Sequence, residues 1–176
     1  MEYEYNHEAI KGRRIDRAIE ISADLFLKNG IANVKMTDIA EESGIGVATL
    51  YRYFGTKTSI TIAAMTYLWN QMNDMFSEIF ESEIFLSQRG IKQINDLMRM
   101  FIVLYNAHPD FMKLLEEFDL FLAKEKVPKD ELKGYDKSII NFYPIFEKAY
   151  NAGVADGTIG EHNVQNVLGA IAYAAG

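Results

Sequence analysis

The chain has 176 residues, of which 49% are hydrophobic, no cysteine, and a formal net charge of −7. The hydrophobic share is large enough to bury a core, which excludes a disordered protein, and the lack of cysteine excludes disulfide frameworks and thiolate metal sites. The first residues are charged rather than apolar, unlike a secretory signal, and no apolar run reaches the ~18 residues of a membrane span. We therefore expect a cytoplasmic protein with no membrane partner.

Helical periodicity recurs along the chain and strand-like alternation is scarce, which predicts an all-α fold. The first predicted helix covers residues 13–29 and ends at Gly30, a residue suited to left-handed backbone. The second begins with Thr37 as its N-cap and ends at Gly44, and a short third helix follows. A long fourth helix over residues 58–80 has nearly continuous apolar positions, so it is expected to be buried on several sides.

The second half of the chain predicts four more helices. A fifth covers residues 87–107, and a sixth covers residues 109–124 with a proline as its first residue. A seventh spans residues 130–151, where Pro144 predicts a kink. An apolar eighth helix starts near residue 163, and its final turn has no basic residue, which indicates that the chain ends inside an element.

Residues 36–54 have the pattern of a helix-turn-helix. Ala40 is small enough for two helices to cross closely, Gly44 permits a tight turn, and Leu50 and Phe54 are spaced to pack the second helix on the first. With those two side chains turned inward, a rotation of about 100° per residue leaves an outward arc. This arc contains Ala48, Thr49, Tyr51 and Arg52, with Val47 and Tyr53 at its margins.

The charge is distributed unevenly along the chain. Residues 1–60 contain 8 Lys and Arg against 9 Asp and Glu, whereas the remainder contains 10 against 16. Between Glu42 and Asp74 there is no acidic residue. One end of the protein can therefore present a locally positive surface to DNA in spite of the negative total.

The helix-turn-helix and its flanks resemble the DNA-binding domain of the TetR family. The residues that carry the resemblance are Phe26, Gly30, Thr37, Ile39, Ala40, Gly44, Leu50, Tyr51, Tyr53, Phe54 and Lys57. The close likeness covers about a quarter of the chain, and the rest matches in helix count, length and character. It implies a DNA-binding domain over residues 1–57, which a long fourth helix joins to an effector-binding and dimerisation domain over residues 58–176.

The resemblance also implies roles for individual side chains. Contacts with phosphates fall to Thr37, Tyr51, Tyr53 and Lys57. Contacts with base edges fall to Val47, Ala48, Thr49 and Arg52. The chain departs from the family pattern at Gly46, where a capping Ser is usual, at Val47, where a polar residue is common, and at Thr58 and Ser59, where Glu often occurs. These departures put the base sequence that is read in doubt.

The remainder of the chain is rich in aromatic residues and methionine, which are typical both of a pocket for an apolar ligand and of an ordinary core. A pocket bounded by the fourth to seventh predicted helices follows from the resemblance. Its candidate lining is Trp69, Met72, Phe76, Met98, Phe101, Tyr105, Phe118, Phe142 and Tyr143. The sequence does not identify the effector.

These patterns predict a repressor that a small apolar or aromatic effector releases from a near-palindromic operator in double-stranded DNA. Two alternatives remain: a regulator with a filled core that responds to a protein partner, and an activator. A homodimer is expected through the seventh and eighth helices, with an apolar stripe at Val164, Val167, Leu168, Ile171 and Ala172. No catalytic group, metal or cofactor is predicted, because His7, His108 and His162 are far apart in the sequence.

Overall fold

The computed structural model describes residues 2–139 and 141–160, and it describes no side chain at positions 2–7, 101 and 105. Every regular element in these ranges is a helix, which confirms the all-α prediction. The helices are α1 (Glu2–Asn29), α2 (Met36–Ser43), α3 (Val47–Phe54), α4 (Lys57–Phe80), α5 (Glu83–Leu86), α6 (Gly90–Ala107), α7 (Pro109–Glu125), a 3₁₀ turn (Lys129–Leu132), α8 (Lys133–Ser138) and α9 (Tyr143–Ala155). Within the same ranges, no helix is both long and apolar enough to cross a membrane.

The fold consists of two compact units that do not follow the order of the sequence. Of the described residues, the first unit contains 2–71 and 108–139, and the second contains 72–107 and 141–160. This division differs from the predicted boundary after residue 57, because α7 packs against α1 and joins the N-terminal helices.

The first unit has its core where the three N-terminal helices meet α4. α1 turns Ala18 and Phe26 inward, as the sequence periodicity predicts, and Ser22 is buried between them with its hydroxyl donating to the Ala18 carbonyl at 2.6 Å. Ile39 from α2 and Leu50 from α3 are fully buried against this face. α1 begins at Glu2 rather than at residue 13, because helix-favouring Glu, Ala and Lys extend it beyond its apolar stripe.

The second unit is organised by a close crossing of α6 and α9. A Cβ atom placed on Gly90 would lie 2.0 Å from the Gly153 nitrogen, so the two backbones touch without an intervening side chain. The first amides of α6 find partners in the turn after α9: Gly90 N–H donates to Asp156 Oδ2 at 2.8 Å and Ile91 N–H to Thr158 Oγ1 at 3.3 Å. These bonds satisfy the free N–H groups of a helix start. The prediction of one helix over residues 87–107 is therefore wrong at its start.

The predicted kink at Pro144 is also wrong. In place of one kinked helix over residues 130–151, the chain forms the 3₁₀ turn, α8 and α9. Pro144 lies in the first turn of α9, where an N–H group would have no partner within the helix, so a proline is tolerated. The predicted eighth helix and its stripe of Val164, Val167, Leu168, Ile171 and Ala172 lie outside the described residues.

Candidate DNA interface

A tight turn joins α2 and α3. Gly44 ends α2 with φ 69°, a left-handed conformation that a residue with a Cβ rarely adopts, and the Ile45 N–H donates back to the Ala40 carbonyl at 3.1 Å. The buried side chain of Ile45 anchors the turn to the core. Gly46 then precedes α3 as its N-cap and provides no capping side chain. This geometry confirms the helix-turn-helix.

The start of α2 differs from the prediction. Lys35, and not Thr37, is the N-cap, because the Asp38 carboxylate accepts the Lys35 N–H at 2.8 Å and closes the first turn. Thr37 is an exposed residue inside the helix, with its hydroxyl 3.3 Å from Asp38 Oδ1. Its hydroxyl thus remains on the surface at the helix start, the position from which a phosphate contact is predicted.

α3 presents the outward arc that the helical rotation predicts. Leu50 is fully buried, whereas Ala48 and Arg52 are exposed and Tyr51 is 49% exposed. The remaining predicted contact residues are half-buried: Val47, Thr49 and Tyr53. Buried Leu50 therefore fixes the rotation of α3 and turns a small, a phenolic and a cationic side chain to solvent. Their contacts with DNA remain a prediction.

Arg52 has an aromatic neighbour on the same helix. Its guanidinium carbon lies 5.6 Å from the centre of the Tyr53 ring, within the range of a cation–π contact. The contact leaves the guanidinium N–H groups exposed, and five N–H donors in one plane match the acceptors of a guanine edge.

Lys57 does not point to solvent as its predicted phosphate contact requires. Its ammonium donates to the Ile31 carbonyl at 2.6 Å, in the turn between α1 and α2. Burial lowers the pKa of this ammonium, while the negative charges of Glu125 and Asp38 act in the opposite direction. The structure thus gives Lys57 an internal partner.

Glu117 of α7 binds the other backbone group of the same residue. The Ile31 N–H donates to Glu117 Oε2 at 3.1 Å, and a Cβ on Gly30 would lie only 2.7 Å from that oxygen. Gly30 has φ 78°, so glycine serves here for both its conformation and its size. We call Glu117, Ile31 and Lys57 the turn clamp.

The predicted effector residues are distributed over both units. In the first unit, the Trp69 Nε1–H donates to the Tyr135 hydroxyl at 3.2 Å, and the Phe118 ring stands 5.0 Å from the Tyr135 ring. Burial raises the pKa of the Tyr135 phenol, although the Trp69 hydrogen bond opposes this. Phe118 is fully buried in the core, and half-buried Trp69 packs beside it through Tyr135.

The second unit contains the other seven candidates. Phe76 is 2% exposed, with the Phe142 ring 5.5 Å away, and Met72 packs against the same cluster. Met98 and Tyr143 are 41% and 42% exposed. The side chains of Phe101 and Tyr105 lie outside the description. The structure therefore brings Met72, Phe76 and Phe142 together as core.

Sequence reasoning missed two residues of the first unit. Asp38 could have been predicted from the sequence, because it lies three residues after the N-cap, where the side-chain partner of a capping box is found. Glu117 had none, because 86 residues separate it from Ile31 and nothing local distinguishes it from solvated glutamates.

A fully buried leucine under an exposed Tyr-Arg pair, on the second helix of a tight two-helix turn, is the geometry of a helix-turn-helix. Residues 18–64 match the family model of bacterial regulatory proteins of the tetR family. The N-terminal helices of this chain are therefore similar to those of tetR-family regulatory proteins.

Curated relatives and a solved structure agree. An HTH-type transcriptional regulator of Staphylococcus aureus strain bovine RF122 / ET3-1 is 36% identical over 72 residues, which are 41% of this chain and 38% of that protein. One of Staphylococcus aureus strain MRSA252 is 29% identical over 149 residues, 84% of this chain and 65% of that protein. The chain thus spans less than two thirds of either relative.

The structure of the transcriptional regulator FadR from Bacillus subtilis in complex with stearoyl-CoA superposes with a TM-score of 0.51 at 16% identity. The superposition covers 86% of this chain and 76% of FadR. At this identity the likeness concerns the fold, and it extends the agreement beyond the N-terminal domain.

Proposed function

We propose that the chain is a DNA-binding repressor that leaves its operator when a small apolar or aromatic effector binds its helical domain. The observation that carries the DNA-binding part is the outward face of α3, where Tyr51 and Arg52 are exposed beside fully buried Leu50. A rigid helix with a small, a hydroxyl-bearing and a cationic side chain on one face fits a major groove. Within this proposal the protein acts on DNA in the cytoplasm.

Within this proposal the exposed side chains divide into two groups. Arg52 and Ala48 meet base edges, with Thr49 and Val47 beside them, because they lie along the outward face of α3. Hydroxyls at the periphery donate to backbone phosphates and set the register: Thr37, Tyr51 and Tyr53. Base reading therefore depends most on Arg52, whose guanidinium can bind a guanine in bidentate fashion.

The experiment begins by selecting a preferred duplex from a random library with the wild-type chain. Arg52→Ala should weaken binding to that duplex by ~1–3 kcal/mol and relax the preference at one position. Tyr51→Phe should weaken binding to all duplexes by a similar factor, because it removes a phosphate donor. Lys148→Ala on α9 removes one exposed positive charge elsewhere and is the matched control. Gel-shift affinities of both α3 variants equal to that of the control would refute the interface.

We further propose that the protein works as a homodimer, because one short recognition helix reads too few base pairs to specify a site in a genome. Two copies reading successive major-groove faces, ~34 Å apart, match a near-palindromic operator. The proposed contact surface, formed by the seventh and eighth predicted helices, includes the apolar stripe outside the described residues. Sedimentation equilibrium of the full natural chain at micromolar concentration tests this, and a monomeric mass would contradict it.

The effector part of the proposal draws support from FadR, which is described in complex with stearoyl-CoA. Stearoyl-CoA is accordingly the first probe for calorimetry, followed by smaller aromatic compounds. A shift from 99% to 1% binding-competent protein requires a differential affinity of about 5.5 kcal/mol. If a ligand that saturates the protein in calorimetry leaves operator affinity unchanged, the coupling does not exist.

A further inference from the structure

We infer that Glu117 and Lys57 are positioning residues for DNA recognition, which bind the N–H and the carbonyl of Ile31 and thereby fix the helix-turn-helix to α7. The inference rests on the proposed DNA-binding function and extends it to a helix outside the predicted DNA-binding domain. It also gives Lys57 a role other than the phosphate contact that the family resemblance implies.

The turn clamp provides a charged partner for each backbone group of buried Ile31. The Ile31 side chain is 1% exposed, its N–H donates to Glu117 Oε2 at 3.1 Å, and its carbonyl accepts from Lys57 Nζ at 2.6 Å. Buried backbone groups need partners, and bonds to ionised groups are stronger than neutral ones. The position of the turn is therefore set by two side chains from distant parts of the sequence.

The placement of the clamp brackets the two reading helices. Ile31 lies in the turn that leads into α2, and Lys57 is the first residue of α4, immediately after α3 and its end at Gly55. One hydrogen bond from Lys57 thus ties the residues before α2 to the residues after α3. Glu117 ties the same point to α7. Loss of either side chain frees one end of the helix pair while leaving the surface of α3 intact.

Gly30 shows that the contact between Glu117 and the turn is close. A carboxylate oxygen lies only 2.7 Å from the place of a Cβ, so a side chain at position 30 would displace the end of Glu117 from the turn. The left-handed φ of 78° restricts that position in the same sense. The turn and the carboxylate therefore fit in one arrangement.

The decisive feature for an experiment is the sign of the charge effect. Removal of the Glu117 carboxylate deletes a negative charge, which on electrostatic grounds alone should strengthen binding to DNA. The clamp predicts the opposite. Glu116→Leu, an exposed neighbour on α7, provides the pure charge effect, and Glu117→Gln keeps an oxygen that can accept the Ile31 N–H.

The experiment measures affinity for the selected duplex and for a scrambled duplex, per folded molecule, over a range of salt concentrations. Glu117→Leu and Lys57→Met should lose about tenfold or more in affinity for the selected duplex, while binding to the scrambled duplex changes little. Glu117→Gln should retain most of the affinity, and Glu116→Leu should bind as tightly as wild type or more tightly. The salt slope of Lys57→Met should equal that of wild type, because no phosphate contact is lost.

Two results would overturn the inference. A Lys57→Met slope that is smaller by about one would identify Lys57 as a phosphate ligand. Folded Glu117→Leu protein with wild-type specificity would show that the clamp has a role in stability alone. Both differ from failure of the proposed function, in which the wild-type chain would select no duplex at all.

Discussion

Replacing Gly90 with alanine tests the backbone crossing of α6 and α9. The new Cβ would lie 2.0 Å from the Gly153 nitrogen and 2.6 Å from the Ala149 carbonyl oxygen. Comfortable contacts between such atoms need roughly 3.5 Å, so the helices must separate by roughly 1.5 Å. Overpacking of this kind costs about 1–3 kcal/mol. The separation also stretches the charge-assisted bond from the Gly90 amide to Asp156.

We therefore expect Gly90→Ala to lower the free energy of unfolding by about 1–3 kcal/mol. The matched control is Gly12→Ala within α1, where a Cβ would meet no atom within 4 Å. Helix propensity alone should stabilise that variant by about 0.5–1 kcal/mol. Both substitutions replace glycine with alanine, and the structure predicts that they change the free energy of unfolding in opposite directions.

The assay is urea unfolding followed by far-UV circular dichroism, together with hydrogen exchange of the α6 and α9 amides. Trp69 lies in the first unit, so its fluorescence is a poor reporter for this crossing. Faster exchange confined to α6 and α9 in Gly90→Ala is the expected local signature. A Gly90→Ala variant as stable as wild type would refute the backbone contact.

Three further predictions concern single sites. Gly30→Ala should destabilise the first unit by about 2–4 kcal/mol, because it introduces left-handed strain and displaces Glu117. In a Glu117→Ala background the same substitution should cost only about 1–2 kcal/mol. Additive effects of the two substitutions in a urea double-mutant cycle would argue against their contact. Leu50→Ala should cost about 2–5 kcal/mol and reduce DNA binding with it, which thermal melts and gel shifts would show; an unchanged melting temperature would contradict its burial. The hydrogen bond from Thr158 has the largest effect on the pKa of Asp156, followed by that from the first amide of α6, and together they hold this pKa below its ordinary value. Their contribution to stability is therefore present above the pKa of the unfolded chain and is lost as the pH falls through the pKa of the folded protein. Asp156→Asn should lack this acid-dependent loss in melts between about pH 7 and about pH 3, and identical pH profiles would count against the bond.

The sequence predicted the elements whose determinants are local. Gly44 and Leu50 specify a turn and an inward face within a few residues, and both are found as expected. Pro109 begins α7 for an equally local reason, since a proline lacks the N–H that a first helical residue does not use.

The sequence could not predict what distant contacts decide. The start of α6 depends on Asp156 and Thr158, 66 and 67 residues away, and the turn before α2 depends on Glu117. The role of the aromatic residues was also ambiguous, because phenylalanines such as Phe76 and Phe118 are expected both in a ligand pocket and in a core, and these two are buried in the core. Composition does not distinguish a ring that packs against protein from one that packs against a ligand.

The membership of α7 in the first unit has a consequence for protein engineering. Fusion of a recognition module to a foreign sensor normally cuts the chain after the last residue assigned to DNA reading, here residue 57. Such a cut would leave Glu117 behind and remove the acceptor of the Ile31 N–H. A functional chimera should therefore carry His108–Ile139 along with the N-terminal helices and replace only Met72–Ala107 and the chain after residue 140. In this protein the transferable module consists of two segments that are separate in the sequence and belong to one compact unit of the fold.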